Sequence, residues 1–565
     1  MKRSARCLLA WSAIAGAMLF LLLLFAQAQQ PGTPPASTFS SNAELVLVPV
    51  SVRDHYGQPL AGFQQSDFKL TDNGKQATIA VFEEVHANQA PQPLPSQDKQ
   101  TYSNLVASPD SGSARSREPL ILLMDGINSP LASQARAGKG LVEYLSSHLD
   151  AQQPTALLVL AADGIRQVHA FTNDTQALIE AAKSVQAKLG HTDVELTEDD
   201  LVVDLSSGDA LAGAVKSLRI ENAFRQTNAI RDTLNGFHEI AQAFAGVPGR
   251  KSLVWLSSGF PLIIDDPHFI GSMGAGFLRD YEDTWQALNK AEIAVYPVNL
   301  EALSHDPRTD PYGGRARGRT VVQSGMNGSL GTRPDREKQS EDTLHLFASG
   351  TGGRACMNDT NIADCIGKAT ADSRDYYLLG FYVPHEGTKP GWHKLGVKLD
   401  KPHGELLARS QYFFALPPAP DPGRNDVAMR NALSAPIQYS GLGMTVRPES
   451  VLITTADEKS KGISAKTSLA FRISIPADSV KNLAHQDKIE FDLWMLPVSA
   501  AGTAYSDAAL RLHINLSPDK IEGAQKNGLT INQRLVLPVG SALVKVVALN
   551  QDGTVGSVFV PLSQK

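Results

Sequence analysis

The chain has 565 residues, of which 42% are hydrophobic and 19% are charged, and its formal net charge is −6. A single hydrophobic core stops growing at roughly 250 to 300 residues, so we expect about three domains. This composition excludes a fibrous, a disordered and a multi-span membrane protein, and the acidic balance argues against general nucleic-acid binding.

The first 28 residues predict a secretory signal peptide. Three basic residues precede an apolar run over 8–25, and an A-x-A cleavage site follows at 26–28. The run approaches the roughly 17 residues that a spanning helix needs, so an uncleaved anchor is the alternative. Removal of the leader takes away three positive charges and no negative one, which moves the net charge from −6 to −9. We expect an exported protein that is periplasmic, held in the cell envelope or secreted.

After a Pro- and Ser-rich linker over 29–42, residues 43–85 predict a small β unit. The segment "ELVLVPVSV" alternates apolar and polar residues, while "DHYGQ" and "DNGK" predict turns. Residues 86–118 are rich in Pro, Gln and Ser and predict a second linker.

Residues 119–372 predict an α/β domain. Short runs rich in Val, Ile and Leu alternate with longer helical stretches, the runs being "PLILLMD", "TALLVLAAD", "KSLVWLSSG" and "AEIAVYPVN". Runs that are apolar on both faces are typical of strands in a buried parallel sheet. The expected fold is a Rossmann-type parallel sheet flanked by helices.

Two insertions interrupt this α/β pattern. The acidic one covers 191–209, where the carboxylates lack the spacing of a calcium loop, so we expect a solvated face, with calcium binding as the alternative. The Gly- and Arg-rich one covers 301–338 and follows the last strand run. A long loop at that position predicts a lid, a partner-binding arm or a disordered segment.

The sequence predicts β structure again from residue 373. Three strands within 373–415 have no sheet of their own, so we expect them to join 43–85 in one β domain. A third linker, 416–431, precedes 432–565, whose strand spacing suits an antiparallel, Ig-like β-sandwich. The predicted class is α/β plus all-β, with β-sandwich domains around and after the α/β domain.

Two cysteines follow the predicted leader, Cys356 and Cys365, nine positions apart. An even pair in an exported protein usually forms a disulfide. We predict that bond here, with two buried thiols as the alternative.

Three segments carry a resemblance to a known family. "LVLVPVSVRDHYGQPLAGFQQSDFKLTDNGK", "AQAFAGVPGRKSLVWLSSGFP" and "DSRDYYLLGFYVP" resemble exported bacterial proteins described as von Willebrand factor A-related, frequent in Acidobacteria. The resemblance covers roughly 44–415 and implies a von Willebrand factor type A domain over 119–372. Such domains hold a divalent ion at the carboxyl edge of the sheet through a D-x-S-x-S motif, a threonine and an aspartate-glycine pair. The partner completes the ion's shell with its own carboxylate.

The resemblance implies a magnesium site at Asp125, Ser129 and Thr233, with Thr227 as the alternative threonine. Magnesium requires near-octahedral oxygen coordination. Ile127 stands where the motif has its middle serine, and its side chain offers no oxygen.

The fourth-strand motif also departs from the family pattern, because Ser257 and Ser258 stand where an aspartate is expected before Gly259. One carboxylate with one or two hydroxyls makes a weak cation site, since affinity for hard cations rises with ligand charge. We therefore predict no cofactor, and Mg²⁺ is the ion that the resemblance leaves open. The alternative role for Asp125, which we favour, is to cap the following helix, while Asn128, Ser129 and Pro130 shape its start.

Three functional hypotheses follow. The first is a non-enzymatic, exported binding or adhesion-type protein that presents loops at the carboxyl edge to a protein or a cell-envelope component, and not to nucleic acid or membrane. The second is a cation-dependent adhesin using Asp125, Ser129 and Thr233. The third is a cell-envelope hydrolase using Ser257 or Ser258, although "WLSSG" lacks the first glycine of G-x-S-x-G. The sequence contains no P-loop, dinucleotide-binding or zinc motif.

Overall fold

A computed structural model describes part of the chain. The described residues are 43–86, 101–105, 118–150, 153–162, 164–188, 208–247, 249–260, 275–300, 333–357, 359, 361–402, 404–416, 422–454, 466–485 and 488–562. The predicted leader, the linker 29–42 and the greater part of both insertions lie outside them. Within the described ranges, no helix combines the length and the apolar character that crossing a membrane requires.

The described residues form two compact units. Ala43, Glu44 and 383–388 belong to one unit. The interactions discussed below lie in the other unit, which comprises Leu45–Tyr382 and Lys389–Lys565.

The strands are, in chain order, β1 (Ala43–Arg53), β2 (Phe68–Asp72), β3 (Lys75–Ala77), β4 (Val81–His86), β5 (Tyr102–Ser103), β6 (Leu120–Asp125), β7 (Thr155–Ala161), β8 (Gly164–Thr172), β9 (Lys251–Ser257), β10 (Ile293–Asn299), β11 (Asp375–Pro384), β12 (Gly391–Leu399), β13 (Glu405–Ala408), β14 (Gln411–Phe414), β15 (Thr445–Thr454), β16 (Lys466–Ile475), β17 (Ala484–His485), β18 (Lys488–Ser499), β19 (Leu510–Leu516), β20 (Leu529–Leu537), β21 (Ser541–Asn550) and β22 (Val555–Pro561). The α-helices are α1 (Leu131–Ser147), α2 (Thr175–Lys188), α3 (Gly208–Phe244), α4 (Ala275–Lys290), α5 (Arg333–Thr351), α6 (Ile362–Asp372), α7 (Pro422–Ser434), α8 (Ala477–Leu483) and α9 (Pro518–Asn527).

The α/β segment is built around a five-stranded mixed sheet with the order β10-β9-β6-β7-β8. Alternate residues of β6 face opposite layers: Ile121 and Leu123 pack in a cluster with α3, α4 and α5, whereas Leu122 and Met124 pack with α1, α2 and α6. All four side chains are at most 1% exposed. A strand that packs on both faces contributes to two hydrophobic clusters, so it is apolar at every position. The apolar runs in the sequence therefore predict the buried strands.

The sheet is mixed, whereas the sequence predicts a parallel one. Strands β10, β9, β6 and β7 are parallel, but the edge strand β8 is antiparallel to β7. Gly164, with φ +105°, is the first residue of β8 and follows the short connection from β7. Strand β8 is mostly half-buried. It lacks the apolar run that identifies the other four strands, so its sequence does not reveal it.

Strands that precede and strands that follow the α/β segment in the sequence pair with each other in two largely antiparallel sheets. Their orders are β13-β1-β11-β4 and β14-β12-β2-β3. Val50 pairs with Ala408 in the first sheet, and Leu70 pairs with Val397 in the second. The rings of Phe68 in β2 and Tyr377 in β11 lie 5.2 Å apart and connect the two sheets. The chain thus leaves this β region and returns to it after the α/β segment, as the sequence leads us to expect.

The C-terminal region contains two further sheets, β20-β16-β15-β5 and β17-β18-β21-β22, with β19 paired to β18. Their inner faces share one core, in which Phe471 of β16 and Leu493 of β18 are fully buried. Two predicted linkers are wrong in part. Residues 101–105 include β5, which pairs with β15, and residues 422–434 form α7.

The C-terminal region packs directly on the α/β segment. The carbonyl oxygen of Ala243 in α3 accepts hydrogen bonds from the backbone nitrogen and the hydroxyl of Ser440, both at 2.7 Å. A Cβ atom at Gly246 would collide with the Ser440 carbonyl oxygen. One hydrophobic cluster includes Phe237 of α3 together with Met429 of α7. Helix α3 is therefore shared between the core of the mixed sheet and this contact.

Cys356 and Cys365 form the predicted disulfide, with their Cα atoms 5.8 Å apart. The backbone nitrogen of Cys356 donates to the carbonyl oxygen of Pro297 at 2.8 Å, and Cys365 lies in α6. The bond therefore attaches α6 to the segment that runs beside β10.

Candidate functional site

The carboxyl ends of three adjacent parallel strands meet at one edge of the mixed sheet. Strand β6 ends at Asp125, β9 ends at Ser257 and β10 ends at Asn299. Two backbone hydrogen bonds join the ends of adjacent strands. Gly126 N, just after β6, donates to Leu160 O of β7 at 2.8 Å, and Leu300 N, just after β10, donates to Ser257 O of β9 at 2.9 Å. Open α/β sheets generally place their ligand sites at this edge.

The carboxylate of Asp125 is the centre of a buried hydrogen-bond network at this edge. Oδ1 accepts from the backbone nitrogens of Ile127 and Asn128 at 2.9 and 2.8 Å. Oδ2 accepts from Asn128 Nδ2 at 2.8 Å, from Trp255 Nε1 at 2.9 Å and from the Ser257 hydroxyl at 2.8 Å. Asp125 is only 2% exposed, so these donors replace the water that it loses on burial.

Asn128 connects Asp125 with helix α3. Its Nδ2 atom lies 2.8 Å from Asp125 Oδ2 and 2.9 Å from Thr233 Oγ1, and donates to both. The Thr233 hydroxyl in turn donates to the carbonyl oxygen of Ala229 at 2.7 Å. Of the two candidate threonines, Thr233 is thus the one joined to Asp125 through Asn128, and Thr227 lies six residues earlier in α3.

The serines at this edge have different surroundings. Ser129 Oγ accepts from the backbone nitrogen of Ser258 at 3.0 Å, which links the loop after β6 to the loop after β9. The Ser257 hydroxyl is fully buried and lies 2.8 Å from Asp125 Oδ2 and 2.9 Å from the Gly259 carbonyl oxygen, so these two acceptors share its single hydrogen. It also accepts from the Gly259 nitrogen at 3.2 Å.

Asp125 does not cap helix α1, contrary to our expectation. Helix α1 begins at Leu131, and its N-cap residue is Pro130, which makes no side-chain cap bond. Asp125 instead accepts from the second and third backbone nitrogens after it, as aspartate often does in turns. The residue therefore holds the loop that precedes α1.

Burial dominates the electrostatics of Asp125. It raises the pKa of the carboxyl group, and the hydrogen bonds from Asn128, Ser257 and Trp255 oppose that rise. All of these donors are neutral groups. The carboxylate thus draws its stabilisation from oriented dipoles, without a formal positive charge among its hydrogen-bond donors.

The donor set does not fit a divalent cation at Asp125. A carboxylate offers about four lone-pair directions, and five donors already point at this one. The position of the middle serine is held by Ile127, which packs against the hydrophobic cluster around α3. The edge is therefore built to hold Asp125 with hydrogen bonds.

Sequence reasoning missed Asn128 and Trp255 as members of this network. The signal for Trp255 is a single indole in a strand run that is otherwise aliphatic and serine-rich. A buried indole N–H generally requires an acceptor, and Trp255 is fully buried. The signal for Asn128 is weaker, because an asparagine in a loop after a strand is common.

The hydrolase hypothesis depends on Ser257 and Ser258, and the calcium alternative depends on the acidic insertion over 191–209. Within the described ranges, the hydrogen bonds of the Ser257 hydroxyl involve Asp125 and Gly259, and the buried Ser258 hydroxyl makes none. The one cluster with metal-ligand potential among the described residues is Cys356, Asp359 and Cys365, whose two sulfurs form the disulfide. The acidic residues at 191–207, considered for calcium, lie outside the described residues.

No family model matches the sequence, and no curated protein matches it. Among solved structures, the chain is similar to the pilus adhesin SpaC from Lactobacillus rhamnosus GG, with 8% sequence identity and a TM-score of 0.24. That similarity covers 78% of this chain and 53% of the adhesin, so the chain spans about half of the adhesin's length.

Proposed function

We propose that this chain is an exported, non-enzymatic binding protein whose α/β segment is a degenerate von Willebrand factor type A domain. The partner is a protein or a cell-envelope component, bound at the carboxyl edge of the mixed sheet. The sheet order and the antiparallel edge strand β8 are compatible with such a domain. The two β regions serve as its structural supports.

The hydrogen-bond network around Asp125 carries this proposal. It fixes the end of β6, the end of β9 and helix α3 in one rigid arrangement. Binding residues are commonly placed on loops that a rigid scaffold positions. The edge thus has the rigidity of a binding platform, and partner specificity is assigned to the loops that leave it.

Leu131 marks the exposed side of this platform. It is the first residue of α1, six positions after Asp125, and 45% of its surface is exposed. Val539, between β20 and β21 of the C-terminal region, is 85% exposed. It is a control position of similar chemistry in another part of the chain.

A photocrosslinking amino acid at Leu131 tests the proposal in cells that export the protein. We expect a discrete adduct from position 131, competed by purified wild-type protein, and a much weaker one from position 539. The adduct is expected to persist in chelator, which separates this function from a cation-dependent adhesin. Equal labelling at both positions, or labelling only at 539, contradicts the proposal.

A further inference from the structure

We propose that the side-chain amide of Asn128 takes the place of a divalent cation at the carboxyl edge, so that the site is closed from within by this chain's own residue. The resemblance implies an ion shared by Asp125 and Thr233. The hydrogen-bond donors that surround Asp125 do not fit such an ion. The inference is independent of the proposed binding function, because its test uses no partner.

The amide nitrogen of Asn128 lies between two side chains that the resemblance assigns to the ion. Asn128 Nδ2 lies 2.8 Å from Asp125 Oδ2 and 2.9 Å from Thr233 Oγ1, and these oxygens belong to two of the residues expected to bind the ion. An amide nitrogen has two hydrogens and no acceptor capacity, so it donates one hydrogen to each oxygen. It therefore joins the two residues in the way that a shared cation would.

Hydrogen-bond donors already occupy both oxygens of the Asp125 carboxylate. Apart from Asn128 Nδ2, Asp125 Oδ2 accepts from Trp255 Nε1 at 2.9 Å and from the Ser257 hydroxyl at 2.8 Å. Its other oxygen accepts two backbone N–H groups. A cation that bound here would have to displace several of these bonds in a buried environment, which costs free energy for each donor left without a partner.

The described residues around Asp125 supply few ligands for a cation. Divalent cations of the magnesium and calcium type take six or more oxygen ligands and bind more tightly as ligand charge rises. Asp125 supplies the one negative charge of the described network, and the oxygen of the Thr233 hydroxyl already accepts a hydrogen bond from Asn128 Nδ2. A single buried carboxylate that is already surrounded by donors is a poor competitor for a hydrated ion.

The isosteric substitution Asn128→Asp provides the sharpest test. It replaces the donor nitrogen by an oxygen and sets a second carboxylate beside Asp125, where like charges repel. We expect a lower melting temperature in chelator and a rise of roughly 5 °C or more in millimolar MnCl₂, as expected for a ligand well above its dissociation constant. Asn128→Ala removes the same hydrogen bonds without adding charge, so manganese should not restore its stability.

The wild-type protein supplies the decisive second measurement if Asn128→Asp does not fold in chelator. We expect the melting temperature of the wild type to be the same in MnCl₂ and in chelator, and the same difference, near zero, for Thr233→Val. A manganese-dependent rise in the wild type that Thr233→Val abolishes overturns the proposal. A folded Asn128→Asp variant that manganese leaves unchanged overturns it as well.

Discussion

The indole nitrogen of Trp255 donates a hydrogen bond to Asp125 Oδ2 at 2.9 Å, across the boundary between strands β9 and β6. Both residues are almost fully buried, at 0% and 2% exposure. Trp255 packs in the core of the mixed sheet, and Asp125 lies in the candidate site at the end of β6, so this hydrogen bond connects the core with the site. A change in the core is therefore expected to reach the site directly.

Trp255→Phe removes this donor while keeping an aromatic ring beside Phe237 and Phe347. A hydrogen bond to a charged group contributes about 1.5–3 kcal/mol. Trp285 is an equally buried control, and its Nε1 atom has no hydrogen-bond partner within the described ranges. We expect urea unfolding followed by circular dichroism to show a larger loss of stability for Trp255→Phe than for Trp285→Phe, by about that amount. Equal losses would mean that the indole bond contributes nothing.

The coarse fold could be predicted from the sequence, because local patterns report burial. Runs such as "LILLMD" are apolar at every position, and β6 is buried at every position on both faces of its sheet. The prediction of α/β structure combined with antiparallel β-sheets is thereby confirmed. The type A assignment and its binding function remain proposals.

Pairing over long sequence distances is what the sequence did not reveal. Tyr102 of β5 pairs with Val446 of β15 from a segment rich in Pro, Gln and Ser. In the same way, Asn128 bonds to Thr233, 105 positions later, and Trp255 bonds to Asp125, 130 positions earlier. Local composition carries no information about such partners, so the network that satisfies Asp125 was not foreseen.

The disulfide between Cys356 and Cys365 is expected to stabilise the chain. A bond that closes a short loop restricts the unfolded state, which typically contributes about 2–4 kcal/mol. We expect a reducing agent to lower the free energy of unfolding of the wild type by an amount in that range. The double variant Cys356→Ser/Cys365→Ser should be destabilised to a similar extent and should not respond to the reductant. A response in the double variant would assign the effect to something other than this bond.

Asp372, the last residue of α6, makes buried ion pairs with Arg53 of β1 and with Arg354, which lies between α5 and α6. Its Oδ1 atom lies 2.6 Å from Arg53 Nε and 2.8 Å from Arg354 Nη2, and the side chains of Asp372 and Arg53 are 1% and 3% exposed. Asp372→Asn leaves buried positive charge uncompensated, which typically costs about 3–5 kcal/mol. Asp400 pairs with Lys69 at 2.7 Å, where both side chains are about half exposed. Exposed pairs contribute about 0–1 kcal/mol, so Asp400→Asn should have little effect.

Chemical denaturation of both asparagine variants distinguishes the two ion pairs. The expected result is a large loss for Asp372→Asn and a loss below about 1 kcal/mol for Asp400→Asn. Comparable losses would show that burial does not set the energetic weight of these ion pairs.

Glu239 of α3 makes the stability of the chain depend on pH near neutrality. Burial raises the pKa of its carboxyl group to about 7 from an ordinary value of 4.5, and the nearby Lys545 ammonium opposes that rise. Between these two values the folded chain retains a proton that the unfolded chain has released. The free energy of unfolding should therefore fall as the pH rises from about 5 to about 7.

Glu239→Gln removes one titrating group and should make this decline shallower between pH 5 and 7, while Glu118, whose pKa burial raises to about 8, keeps its own contribution. Its neighbour Lys545 donates to the carbonyl oxygens of Leu433 and Ala435 at 2.9 and 2.7 Å, at the end of α7. The pH effect thus acts where α3 contacts the C-terminal region.

Glu221→Gln, at an exposed position of the same helix, removes an equal charge and should retain the decline of the wild type. Unfolding curves at pH 5, 6 and 7 measure the slope of each variant. A Glu239→Gln variant with the slope of the wild type would show that Glu239 does not contribute to the decline.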